Sequence, residues 1–170
     1  MERWELPVKA VIGRLVLNAR EAEELAQETF VRVWQQREKF RADAAFRPWV
    51  FSIAVNLARN RLRWWRRRPE VALEEWCEAP GERREARGEG RGEGGRQGDP
   101  GNLEAQERAV AVRAAIAALP QELREAIVLF EYEEMSQAEI AVAVGATVKA
   151  VETRVARARE KLRAALRRWV

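Results

Sequence analysis

The chain has no histidine and one cysteine among its 170 residues. Without imidazole there is no Ser-His-Asp triad, no imidazole general base and no His-ligated metal. One cysteine can close no internal disulfide and build no Cys-rich zinc site, which fits a reducing cytosol. No carboxylate cluster and no nucleophile beside a base is visible, so neither catalytic activity nor a bound cofactor is expected. Apolar runs are short and interrupted by Arg or Glu, and none approaches the roughly 20 residues that span a bilayer. The opening MERWELPVKA lacks the apolar core of a secretory signal. A soluble, cytoplasmic protein with no membrane partner is the expectation.

What is present is charge, unevenly distributed. Residues 1–68 carry 15 basic and 8 acidic side chains, residues 69–102 carry 5 and 9, and residues 103–170 carry 11 and 10. The last segment divides again: 3 basic against 8 acidic up to Val144, then 8 against 2 from Gly145 onward. Two basic surfaces are thus separated by an acidic stretch. Eight of the ten glycines lie in that stretch, within PGERREARGEGRGEGGRQGDPGN, where almost nothing apolar can be buried. Residues 69–102 therefore read as a disordered linker between two small domains, 1–68 and 103–170. As a flexible coil it spans roughly 30 Å, and roughly 110 Å fully extended. Two domains tethered in this way can sit far apart on a long ligand; a passive spacer is the plainer reading. Cys77, beside Glu74, Glu75 and Glu78, reads as an ordinary thiol.

Both flanking segments read as helical, with no strand signals, so the fold class is all-α. Ala22, Leu25, Ala26, Thr29, Phe30, Val33 and Trp34 recur at helical spacing and predict an amphipathic helix over 21–38. A second helix is predicted from about Ala45 to Arg67, with Phe46, Trp49, Val50, Ile53, Ala54 and Leu57 inward. Pro48 is tolerated there because its missing N–H falls in the first turn. In the second segment Asn102 is placed to cap a helix over 103–118, and Pro120 opens another reaching about Glu133. Ser136 and Glu139 spell a capping box at the head of a short helix that Gly145 stops. Thr147 then caps a long basic helix to about Arg167, its inward stripe Val148, Val151, Val155, Ala158 and Leu162. Short helix, glycine turn and longer basic helix form a helix-turn-helix.

The second helix of such a unit enters the major groove. Opposite the valines it offers Lys149, Glu152, Thr153, Ala156 and Arg157. Lys149 or Arg157 can donate to guanine, Glu152 can accept from cytosine N4, and Ala156 can touch a thymine methyl. Arg154, Arg159, Lys161 and Arg163 lie further round or along and suit phosphates. The bland alternative is a solvated, salt-bridged helix face. A second candidate is the helix ending RNRLRWWRRR, where Asn56, Arg59, Asn60, Arg63, Arg66 and Arg67 make one polar, basic ridge. Basic side chains interleaved with aromatics suit single-stranded nucleic acid, since charge meets backbone while bases stack on rings. Trp64 and Trp65 are adjacent and cannot both face the core; Phe40, Phe46, Trp49 and Phe51 read as core. The outer face of 21–38 (Glu21, Glu24, Gln27, Glu28, Arg32, Gln35) is mildly acidic at its N-terminal end, which the helix macrodipole alone can explain or which can dock on a basic protein.

The string AEELAQETFVRVWQQREKFRADAAFRPWVFSIAVNLARNRLRWWRRRP resembles region 2 of the extracytoplasmic-function (ECF) sigma factors of bacterial RNA polymerase. ALPQELREAIVLFEYEEMSQAEIAVAVGATVKAVETRVARAREKLRAAL resembles their region 4. The resemblance implies that residues 21–38 bind the clamp coiled coil of core RNA polymerase, with Glu24, Gln27, Glu28, Val31, Arg32 and Gln35 on the docking face. It implies that the loop holding Arg41 and Asp43, with Asn56, Arg59, Asn60, Arg63, Trp64, Arg66 and Arg67, recognises the minus-ten element and helps open it, holding the non-template single strand. Capturing an extruded base costs a few kcal/mol, which pocket and stacking contacts must offset. Thr147, Lys149, Glu152, Thr153, Arg154, Ala156 and Arg157 would read the minus-thirty-five element as duplex. Family members are commonly held inactive by an anti-sigma factor. The segment before Ala22 is shorter than the family's first helix, which implies either a start upstream of Met1 or reduced N-terminal packing of region 2. Two rival readings are a stand-alone regulator using the helix-turn-helix alone, and a sigma-like decoy that opens no DNA.

Overall fold

A computed structural model describes residues 2–41, 44–68 and 100–169. Asp43, Cys77 and most of the 69–102 linker, on which expectations were placed above, lie outside the described residues. Among the described residues the fold is seven α-helices with two short 3-10 turns and no strand. The helices are α1 (Glu2–Val16), α2 (Ala19–Gln35), α3 (Phe46–Arg67), α4 (Pro100–Ala117), α5 (Gln121–Glu131), α6 (Gln137–Val144) and α7 (Val148–Ala165).

Helices α1, α2 and α3 pack on one another as a three-helix unit. α1 was not read from the sequence, and its packing is full rather than reduced. Val8, Val11, Ile12, Leu15 and Val16 are all buried, a run at i, i+3, i+4, i+7 and i+8 that lines a single helix face. Full burial of an aliphatic side chain of this size is worth about 1.5–3 kcal/mol, so this stripe is a main support of the unit. Leu17, in the left-handed region at φ 62°, breaks α1. Asn18 then caps α2, its side chain accepting from the amides of Arg20 (3.0 Å) and Glu21 (3.2 Å). At the end of the unit away from this turn, Trp4, Phe40, Phe46 and Trp49 form an aromatic cluster with ring centroids 4.8–5.7 Å apart. These rings brace the chain on both sides of the loop between α2 and α3, which agrees with the reading of Phe40, Phe46 and Trp49 as structural.

Helices α5, α6 and α7 make the second unit, with α4 laid against α7 and α1. Two details differ from expectation. α4 begins at Pro100, so Asn102 lies inside the helix and not at its cap. Val148 is 47% exposed: as the first helical residue after Thr147 it precedes the turn at which the inward stripe of Val151, Val155 and Ala158 begins.

The two units are in contact. α3 packs along α6, α1 touches α5, and the buried apolar residues of both units form one continuous cluster. Arg124 of α5 donates to the carbonyl of Leu15 at 3.0 Å, besides bonds to the carbonyls of Ala117 and Leu119. Burial pushes the Arg124 guanidinium down from its usual value. Arg14 stacks on Tyr132 with its guanidinium carbon 3.9 Å from the ring centroid. Arg47 lies 4.0 Å from Glu133, whose carboxyl is pushed up by burial against the opposing pull of Arg47 and Arg14.

Candidate nucleic-acid interface

The helix-turn-helix is built by its caps. Ser136 accepts from the Glu139 amide at 3.2 Å while the Glu139 carboxylate accepts from the Ser136 amide at 2.9 Å, the two halves of a capping box. These bonds, from the Ser136 backbone first and its hydroxyl second, hold the Glu139 carboxyl below the usual carboxylate range. Gly145 ends α6 at φ 67°, ψ 48°, a left-handed conformation that costs any residue with a Cβ about 1–2 kcal/mol. Thr147 restarts the chain as α7, accepting from the Ala150 amide at 3.2 Å. With Val151, Val155 and Ala158 buried, the opposite face of α7 is set by geometry. Thr147, Lys149, Glu152, Thr153, Ala156 and Arg157 are all exposed on it, with Lys149 and Glu152 paired at 3.1 Å.

Two of the arginines on α7 point elsewhere. Arg154 is half-buried and pairs with Glu122 of α5 at 3.0 Å. Arg159 pairs with Glu131 at 2.8 Å and lies over the Phe130 ring. Neither is on the exposed reading face.

The ridge of α3 is partly covered. Asn56, Asn60, Arg63, Arg66 and Arg67 are exposed, as is Arg41 in the preceding loop. Trp65 packs on the core, whereas Trp64 is half-buried at its edge with Arg61 and Arg68 near its faces, at 6.0 and 5.4 Å. Trp64, Asn60 and Arg61 line one side of a shallow cavity of about 370 Å³, closed by Leu25, Glu28 and Arg32 of α2. Arg61 is held by the buried Glu21 at 2.9 Å. Arg59, central to the ridge, is engaged by the second unit. Its Nε and Nη2 donate to the two carboxylate oxygens of Glu125 at 2.9 and 2.5 Å. Glu125 is 2% exposed and also accepts from Gln121. The hydrogen bond that Arg59 donates to Glu125 raises the guanidinium above its usual value against the lowering effect of burial. Beside this pair Arg59, Arg63, Arg66 and Arg154 face Gln121, Glu122 and Glu125 across a cavity of about 330 Å³.

The outer face of α2 has no such cover. Glu24, Gln27, Val31 and Gln35 are exposed and Glu28 and Arg32 are half-buried, paired with each other at 2.6 Å. Trp34, expected inward, is 60% exposed and stacks with Arg37 at 4.3 Å. With Val31 at 54% exposure it makes an apolar spot on an otherwise polar helix. The sequence pattern hid it because Trp34 follows the buried Val33 directly and so sits at the edge of the apolar stripe, where spacing alone does not say whether a side chain is covered.

No cluster of three or more His, Cys, Asp or Glu side chains among the described residues is placed to hold a metal ion. No described helix is long and apolar enough to cross a membrane.

A scaffold of this kind, a three-helix unit with a basic ridge joined to a helix-turn-helix unit, has close parallels. Residues 1–68 match the family model "Sigma-70 region 2" and residues 109–162 match "Sigma-70, region 4". The sequence is 32% identical to the RNA polymerase sigma-H factor of Pseudomonas aeruginosa over 96% of this chain and 82% of that protein. It is 33% identical to the ECF RNA polymerase sigma-E factor of Escherichia coli over 94% of this chain and 81% of that protein. Among solved structures, CnrH in complex with the cytosolic domain of CnrY superposes with a TM-score of 0.65 and 27% identity, covering 99% of this chain and 86% of that one. The sigma factor RpoE bound to the anti-sigma factor NepR from Bartonella quintana shares the fold, with a TM-score of 0.64, 21% identity, and coverage of 96% and 91%. The chain belongs to the sigma-70 family, as a sigma factor of the ECF type. It is a transcription initiation factor that acts in promoter recognition, not an enzyme.

Proposed function

We propose that this sigma factor binds core RNA polymerase through α2 and one promoter through two separate surfaces. The domains are 1–68, a linker over 69–102, and 103–170. On α2, Glu24, Gln27, Glu28, Val31, Arg32 and Gln35 meet the clamp coiled coil, with Trp34 adding an apolar anchor of the kind that dominates protein interfaces. On α3, Asn56, Arg59, Asn60, Arg63, Trp64, Arg66 and Arg67, with Arg41 and Asp43 from the preceding loop, take the non-template strand of the minus-ten element. Helix α7 enters the major groove of the minus-thirty-five element, with Lys149, Glu152, Thr153, Ala156 and Arg157 toward bases and Thr147 toward the backbone. Arg154 reaches phosphate only after it leaves Glu122. The protein works in the cytoplasm, and an anti-sigma factor restrains it; in support, the similar sigma factor RpoE is seen in complex with the anti-sigma factor NepR, and CnrH in complex with the cytosolic domain of CnrY.

The observation that carries this reading is the α7 face, where every side chain at a base-reading position is exposed while the valine stripe behind it is buried. The test is footprinting with and without core polymerase. A sigma factor protects two separated promoter segments only with polymerase. Tight protection of one segment without polymerase would favour a stand-alone regulator.

A further inference from the structure

Resting on the reading of α7 as the helix that enters the major groove of the minus-thirty-five element, we propose that Val148, its first helical residue, specifies a thymine there. The valine methyls pack on the C5 methyl group of that base.

The fold does not call for a valine at this position. Thr147 supplies the cap of α7, its hydroxyl accepting from the Ala150 amide. The buried stripe starts one turn later at Val151, which is 0% exposed against 47% for Val148. The helix macrodipole favours an acidic side chain in a first turn, and α7 carries none there. Valine also ranks low among helix formers. Cap, core, dipole and propensity therefore all leave Val148 without a structural reason. A lone apolar side chain at a surface needs no partner; Val148 is set apart by its neighbours. It stands between Thr147 and Lys149 and one turn before Glu152, all three exposed on the side of α7 assigned to DNA.

An isopropyl group neither donates nor accepts a hydrogen bond, which limits what it can recognise. In the major groove thymine alone presents an apolar group, its C5 methyl, whereas guanine, adenine and cytosine present acceptors or amines. Val148 thus selects in two ways. Methyl against methyl removes apolar surface from water, and over any other base the same side chain covers polar groups without bonding them, which is penalised. Branching at Cβ already restricts χ1, so contact costs little further side-chain freedom. Position narrows the choice of base. The N-terminal residues of a recognition helix approach base edges. Residues four apart on a helix have Cβ atoms about 5–6 Å apart, and a base step is roughly 3.4 Å. The thymine that Val148 reads therefore falls within about two base pairs of the pair read by Glu152. Ala156, whose methyl can also meet a thymine, lies about 12 Å further along α7 and reads a different base.

The test uses core polymerase carrying the full-length chain. The complex selects its tightest duplex from a pool of genomic fragments, and each thymine of the upstream element is then replaced singly by deoxyuridine, which keeps the base pair and drops only the methyl. Wild type is expected to lose about fourfold in affinity, the factor that one buried methyl gives, at a thymine within about two base pairs of the pair whose discrimination Glu152→Ala relaxes. Val148→Ala, an exposed change to a better helix former, should bind the thymine and deoxyuridine duplexes equally at that position. Val142→Ala is the control, because Val142 is 63% exposed on α6, outside the recognition helix, and it should keep the wild-type pattern. A methyl penalty that V148A retains, or no methyl-sensitive thymine in that window, would overturn the proposal. Glu152→Ala separates the two ideas. If E152A leaves the selected upstream sequence unchanged, the reading of α7 falls and Val148 falls with it, whereas an altered E152A selection beside a silent methyl scan sinks only the role of Val148.

Discussion

At the scale of single residues, exposure on α7 sorts the basic side chains into those that can reach bases and those already held by the protein. Glu152 is the sharpest case, because a carboxylate in a major groove accepts only from cytosine N4 or adenine N6 and repels nearby phosphate. Glu152→Ala is expected to relax discrimination at one base pair by about 1–3 kcal/mol while leaving the others, measured by binding selection on randomised minus-thirty-five duplexes. Lys161→Ala should instead weaken all sequences about equally and lower the slope of log affinity against log salt by about 1. These side chains were legible in the sequence because the valine stripe fixes the opposite face. Arg154 and Arg159 were not, since a helical wheel places them near the edge and only the positions of Glu122 and Glu131 on α5 decide where they turn. Trp34 failed for a related reason: a large aromatic next to a buried valine looks like core until the neighbouring helix is known.

At the scale of elements, the helix-turn-helix depends on local chemistry that can be removed piece by piece. Ser136→Ala deletes one half of the capping box and should cost about 1 kcal/mol, read as a fall of a few degrees in melting temperature. Gly145→Ala meets no atom within 4 Å, so its expected cost of about 1–2 kcal/mol is conformational and not steric. Glu139 gives a pH test. Its carboxyl is lowered in the folded protein by the bonds from Ser136, so the stabilisation is present above the unfolded value of about 4.3 and is lost as pH falls through the folded value. The gap in melting temperature between wild type and Glu139→Gln should therefore be constant near neutrality and shrink below about pH 4. These caps could be read from sequence because each is set by residues three apart. α1 carried an equally local signal in Val8, Val11, Ile12, Leu15 and Val16, masked by Pro7 inside the helix and by the charges of Arg3, Glu5 and Lys9 among its first turns. The start of α4 lies two residues before the expected cap: an asparagine after glycine imitates a cap, while Pro100, itself a helix-opening residue, is where the helix begins.

At the scale of the whole molecule, the contact between the two units is what the sequence could not reveal. Arg59 and Glu125 are 66 positions apart, and each alone reads as a surface charge; the pairing exists only once α3 lies along α6. The segment charges suggested two basic modules held apart by an acidic tether, whereas the two units pack on each other. The account remains that of one chain that carries polymerase to a promoter and is proposed to contact it at two places. The most direct measurement is run-off transcription with purified core polymerase on a genomic promoter library, with the start sites mapped. The account predicts initiation that depends on this chain, from templates sharing two upstream elements, and its loss when Arg63 and Trp64 are both replaced by Ala. Core polymerase that gains no specific start sites from the chain, or initiation that the doubly substituted chain supports as well as wild type, would contradict it.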